Sequence, residues 1–146
     1  MPIRSTEGDP VRDAEALERL ATARVARLAT VDRAGRPHVV PIVFALCGET
    51  IVSAVDFKPK RTKALKRLAN IDANPRVSVL VDEYDDEWSK LWWVRVDGSA
   101  QVLPAADAGP GLASLVEKYQ QYRSAALDGP VIVITIDKVV GWSGSD

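Results

Sequence analysis

Cysteine and histidine are almost missing from this 146-residue sequence; Cys47 and His38 stand alone. One cysteine excludes an intrachain disulfide and a Cys-rich zinc site. One histidine excludes a multi-His metal centre. Neither sign of charge dominates: Lys+Arg 19 against Asp+Glu 20 leaves a net charge of -1. A protein that coats nucleic acid normally carries a strong positive excess, so no nucleic-acid partner is expected. Long apolar runs are also lacking. The longest, Val39 to Cys47 (broken by Pro41) and Val131 to Ile136, fall far short of the roughly 20 residues that span a bilayer. Met1 to Asp13 is polar and charged, without the apolar core of a leader. The expectation is a cytoplasmic protein with no membrane partner.

What is present reads as globular. Apolar residues make up 47% and charged residues 27%, which excludes disorder and a fibrous repeat. A chain of this size suits one domain over 1–146, burying roughly two-thirds of its unfolded surface.

Asp9 to Ala23 reads as a helix, with Asp9 as cap, Pro10 in the first turn and Leu17, Leu20 and Ala21 as an apolar stripe. Arg24 to Val31, Pro37 to Leu46 and Thr50 to Val55 read as three strands. Asp32-Arg33-Ala34-Gly35 and Cys47-Gly48-Glu49 form tight turns between them. Pro41 inside the second strand marks an edge or a bulge. Thr62 to Ala73 is a helix ended by Asn74-Pro75. Arg76 to Val81 and Leu91 to Leu103 are the fourth and fifth strands. Pro104 to Leu127 contains a helix, and Val131 to Ile136 is a sixth strand followed by a short piece with Trp142. Strands that follow one another with short connections predict a six-stranded antiparallel barrel with three peripheral helices, a mainly β fold.

The most unusual segment is Lys58 to Arg67, with six basic residues in ten positions and no acid. It runs through a loop into the first turns of a helix, where lysines are normally disfavoured by the helix dipole. Such a placement suits an anion, phosphate above all, with Thr62 offering a hydroxyl. A solvated basic face, or pairing with an acidic segment, explains the same pattern. Asp82 to Glu87 holds five acids in six positions and is a structural partner or a solvated turn. Trp92 and Trp93 fall on opposite faces of one strand, so one can enter the core while the other meets a ligand or a second subunit. No nucleophile motif accompanies His38, and Gly109-Pro110-Gly111 is neither a P-loop nor a dinucleotide fingerprint.

Arg36-Pro37-His38-Val39-Val40-Pro41-Ile42 resembles the second-strand motif of the pyridoxamine 5′-phosphate oxidase-like split β-barrel flavoproteins. Lys58-Pro59-Lys60-Arg61, Asn74-Pro75-Arg76-Val77-Ser78, Leu91 to Gly98 and Lys118 to Arg123 fit the same family in the same order. The resemblance is to the actinobacterial branch of coenzyme F420-dependent oxidoreductases and covers roughly residues 11 to 142. It implies a homodimer with cofactor grooves at the subunit interface. It implies a ring lying near Val40, Pro41, Ile42, Ser53 and Ala54. It implies a cofactor phosphate on Lys58, Lys60 and Arg61, with Trp93, Arg95 and a partner's Trp142 as further pocket members. Hydride transfer from the reduced deazaflavin to an electron-poor double bond of a small molecule is the implied activity, and no protein nucleophile is needed for it. FMN in place of F420 is the alternative, and non-catalytic carriage of a flavin or tetrapyrrole is another. Lys63, Lys66 and Arg67 would remain for the carboxylates of a deazaflavin tail. The Arg- and His-containing C-terminal motif of pyridoxamine phosphate oxidases is missing, so pyridoxine-phosphate oxidation is not implied.

Overall fold

The computed structural model describes residues 6–8, 14–55, 61–124 and 127–145. Among them are eight strands and three α-helices. The strands are β1 (Thr6–Gly8), β2 (Ala26–Val31), β3 (Pro37–Ile42), β4 (Ala45–Cys47), β5 (Thr50–Ala54), β6 (Arg76–Glu83), β7 (Trp92–Leu103) and β8 (Val131–Ser143). The helices are α1 (Ala14–Thr22), α2 (Arg61–Ala73) and α3 (Gly109–Lys118). No described helix is long and apolar enough to cross a membrane.

The strands form one antiparallel sheet in the order β3-β2-β6-β7-β8-β5-β4, with β1 added to β8. Alternation predicted most of this. Val77, Val79 and Val81 of β6 point into the core, and Val94 and Val96 of β7 meet them there. Both expected hairpin turns are present. In the first, Gly35 takes φ +82, which a side chain would strain. There the Asp32 carboxylate accepts the backbone N–H of Ala34 at 2.9 Å and of Arg36 at 2.8 Å. These bonds, Arg36's backbone first, hold the Asp32 carboxyl well below the usual carboxylate range.

The expected six-stranded barrel is corrected in three places. The predicted second strand is broken at Val43-Phe44 into β3 and β4, which sit at opposite ends of the hydrogen-bonded order. The last strand does not stop at Ile136 but runs to Ser143, because Trp142 pairs with Trp93 and extends the ladder with β7. A short β1 adds a further strand. The sheet is therefore curled but not closed by hydrogen bonds. Ile42 and Ala45 are three residues apart, so the two ends of the sheet come within about 11 Å of each other there. The helices lie where they were expected. α1 begins at Ala14, while Asp9 and Pro10 lie outside the described residues. The predicted third helix is one α-helix flanked by 3₁₀ turns at Ala105–Asp107 and Gln120–Arg123.

Two apolar clusters fill the inside. Leu20 of α1 and Ile71 of α2 close the larger one over Leu28, Val79, Val96 and Ile134 of the sheet. The smaller lies under α3, where Leu115 and Tyr119 meet Ala45, Val52 and Val131. Between β7 and β8, Gly98 sits beside a bulge where a β-carbon would collide with the Thr135 carbonyl oxygen.

The corner at Val43-Phe44 is fastened from α3. The Tyr119 hydroxyl accepts the Phe44 N–H at 3.1 Å, and lies 2.9 Å from the Phe44 carbonyl and 3.0 Å from that of Arg24, both acceptors for its proton. Burial pushes the Tyr119 phenol up from its ordinary value. Lys118 lies beside it with its ammonium 4.0 Å above the Phe44 ring and no hydrogen-bond partner. Burial, and then the Arg24 guanidinium, push Lys118 down to about 8.

Tyr119→Phe should cost about 1–3 kcal/mol in urea unfolding, because the buried Phe44 N–H loses its acceptor. Lys118 gives a pH-dependent prediction. At pH 7 the amine is charged in both states, and the folded state carries the cost. Between pH 8 and 10.5 the folded protein releases the proton while the unfolded chain keeps it, so stability rises with pH. Lys118→Met should therefore melt higher than the parent at pH 7, with the gap narrowing across that window in a thermal scan series.

Candidate functional site

Among the described residues the corner leaves two strand edges without partners. β3 pairs with β2 on one side only. β4 covers β5 from Thr50 to Val52 and stops, so Ser53 and Ala54 lie beyond it. These edges meet at the corner, where the Ser53 hydroxyl donates to the Val43 carbonyl at 2.8 Å. The parity of β3 follows from its prolines. Pro37 and Pro41 have no N–H, so their pairs with Val31 and Arg27 are the non-hydrogen-bonded ones. Val39 shares that parity, so its N–H and C=O point away from β2 into the open edge, with the carbonyls of Pro37 and Pro41. The result is a slot edged by backbone donors and acceptors.

The expected ring-binding residues divide accordingly. Pro41 is exposed on the outer face, while Val40 and Ile42 pack toward the core. Ser53 is buried and its hydroxyl proton is spent on Val43; Ala54 packs against the smaller apolar cluster. By the same parity Val40 and Ile42 give their backbone groups to β2 and Ser53 gives its own to β8, so of the expected ring residues Pro41 and Ala54 border the slot through backbone.

Of the expected phosphate ligands, Lys58 and Lys60 lie outside the described residues. Arg61 opens α2, and its side chain also lies outside them. The helix is set on the sheet by Asn70, buried, whose amide donates to the Thr30 hydroxyl at 3.0 Å. Lys66, expected to be spare, is not: its ammonium sits 3.4 Å from the Asp32 carboxylate. Arg67 is different. It lies one turn before Asn70 on the same inward face, with its Nε buried and unpartnered. Burial lowers its pKa from the ordinary value. Sequence reading set Arg67 beside Lys63 and Lys66 as a spare cation for the carboxylates of a deazaflavin tail. The signal that separates it is helical phase, three residues from Asn70 and four from Ile71, which is buried in the core. His38 faces Thr30 across the β2–β3 pair, and its Nδ1 is likewise buried without a partner.

Trp93 does not join this group. It is on β7, and β2 and β6 stand between it and β3, roughly 14 Å along the sheet. It lines a separate groove with Leu80, Asp82, Tyr84 and Arg95. Trp92 faces the other way, packs against the core and carries the Arg19 guanidinium 5.2 Å over its ring. Trp142 is almost fully buried beside Trp93. The acidic segment makes local contacts: Asp85 accepts the Glu87 N–H, Glu83 accepts the Trp92 indole N–H, and Glu87 pairs with Lys90.

The family profile described as pyridoxamine 5′-phosphate oxidase (PNPOx_N) matches residues 13–143. The chain belongs to that family. No curated protein matches it. Among solved structures it is similar to a FAD-binding protein from Mesorhizobium loti, with 26% identity, TM-score 0.67, and coverage of 95% of this chain and 97% of that one. A FAD-binding protein from Mycobacterium smegmatis shares the fold at 19% identity and TM-score 0.59, over 94% of this chain and 97% of that one. So does the haem storage protein HutZ from Vibrio cholerae, at 19% identity and TM-score 0.65, over 88% of this chain and 92% of that one.

Proposed function

We propose that the slot at the corner receives the flat ring of a flavin-type cofactor, and that the protein is an F420 (deazaflavin)-dependent oxidoreductase acting on a small unsaturated molecule. The observation that carries this reading is the pair of open backbone edges among the described residues, β3 on one side and β5 at Ala54 on the other. A planar heterocycle whose rim alternates carbonyl and N–H groups fits such edges, because backbone there still lacks partners. The FAD-binding protein from Mesorhizobium loti supports a flavin-type ligand. When bound, the cofactor supplies the hydride chemistry, which explains why no nucleophile is needed.

The chain's own residues bind and orient. Lys58, Lys60 and Arg61 hold the cofactor phosphate, joined by Arg67. A guanidinium with a buried stem gives a fixed two-pronged grip that a free lysine does not. The Ser53–Val43 bond holds the width of the slot. Even with Lys66 engaged by Asp32, the run holds more cations than one phosphate uses. That surplus favours F420, whose tail adds carboxylates, over FMN.

A second copy of the chain completes the site. Val25, Val39, Val43 and Leu80 are 41%, 60%, 36% and 37% exposed, and all follow the outward alternation of β2, β3 and β6. An apolar face of this kind on a soluble sheet is a partner surface. Stacking two such faces buries them and walls the slot against water.

Oxidised F420 and FMN, titrated side by side by fluorescence anisotropy, should show F420 binding at least tenfold tighter. Arg67→Ala should weaken it by tenfold or more with the unfolding midpoint little changed. Preference for FMN moves the protein to the flavin branch; binding of haem alone moves it to tetrapyrrole carriage. By light scattering after size exclusion, the parent should be a dimer and the double variant Val25→Lys, Val39→Lys a monomer.

A further inference from the structure

The groove around Trp93 has a chemistry of its own. Its volume is about 430 Å³, and its walls are Leu80, Leu91, Trp92, Trp93 and Tyr84. It begins at Leu80, where the apolar sheet face ends, and runs along the tip of β6 and β7. Tyr84 is 69% exposed, so the aromatic wall is open to a ligand. Three charged side chains border it besides this wall. Arg95 is neutralised: its Nε and a terminal nitrogen grip Asp97 at 2.9 and 3.0 Å. Glu83 accepts the Trp92 indole N–H at 2.9 Å. Asp82, the register partner of Trp93, makes no hydrogen bond or ion pair among the described residues.

We infer that this groove binds a planar organic cation, with Asp82 as its counter-ion and the indole of Trp93 as its stacking surface. Charge complementarity selects the sign. Asp82 shares the face of Trp93 without a partner among the described residues, and the groove's one guanidinium is already paired, so an anion would meet uncompensated negative charge. Aromatic rings select the shape, because a ring face attracts a cation and offers a flat contact. The molecule already uses this preference next door, where the Arg19 guanidinium lies over Trp92. The groove lies apart from the corner, so it is a binding site of its own and not the place of hydride transfer in the oxidoreductase reading. As a binding site it does not depend on that reading, and the test measures binding alone, without any cofactor.

The probes are 1-methylquinolinium, isoquinoline (neutral at pH 8) and 1-naphthalenesulfonate, compared by equilibrium dialysis with the full chain at pH 8. The cation should bind at least tenfold tighter than the neutral ring, and the sulfonate more weakly still. Asp82→Asn should reduce cation affinity about fivefold or more and leave isoquinoline unchanged. In the parent, the Trp93 indole N–H signal should shift on addition of the cation. Equal affinity for all three probes, or no effect of Asp82→Asn on the cation, overturns the proposal. So does a cation that leaves the Trp93 signal in place. None of these outcomes bears on F420 or FMN binding at the corner.

Discussion

The hydroxyl of Tyr119 holds the one place where the chain crosses between the two ends of its sheet. Without that crossing, β3 and β4 would be distant edges of a flat sheet. Two residues, Val43 and Phe44, make the connection, and their backbone groups cannot join either strand ladder. Buried backbone groups left unpaired are costly. Tyr119 accepts the Phe44 N–H, and both the Phe44 and Arg24 carbonyls lie within reach of its proton. α3 is thereby tied to the corner, and the smaller apolar cluster forms around the tie. The slot depends on the same crossing: it exists because the sheet is bent until two edges face each other without bonding.

Much of this fold was legible in the sequence because alternation was clean. Val77, Val79 and Val81 announce β6, and Asp32 to Gly35 announces its turn through an aspartate that can cap two N–H groups and a glycine that tolerates positive φ. The break at Val43-Phe44 was not legible as a change of sheet end. Both halves of Pro37 to Leu46 have strand composition, and periodicity cannot show that a strand continues elsewhere. Pro41 signalled an edge, which β3 is. The continuation of β8 to Ser143 was hidden for a similar reason: Gly141 and Ser143 have low strand propensity. Pairing with β7 and burial of Trp142 outweigh it.

The site was legible as a list of regions and less so as roles. A run of cations does not reveal which are engaged. Lys66 reaches an aspartate that is distant in sequence, and only the packing of α2 against the β2–β3 turn brings them together. Arg67, its neighbour, is turned by one helical step onto the inward face. Trp93 was grouped with the corner through family resemblance. The strand order instead places β2 and β6 between them.

The net charge of -1 conceals a separation that the fold makes physical. The basic run leads into α2, which packs on β2 and β7; the acidic run follows β6 to the other groove. Among the described residues no ion pair links the two runs. Screening in physiological salt has a length of about 8 Å, so exposed charges separated by more than that do not cancel one another locally. Each end therefore keeps its own field. On the readings proposed above, an anionic cofactor would be drawn to the α2 end and repelled from the groove, and a cationic ring would experience the reverse. A near-neutral chain can in this way hold two ligands of opposite charge on one sheet without either competing for the other's place.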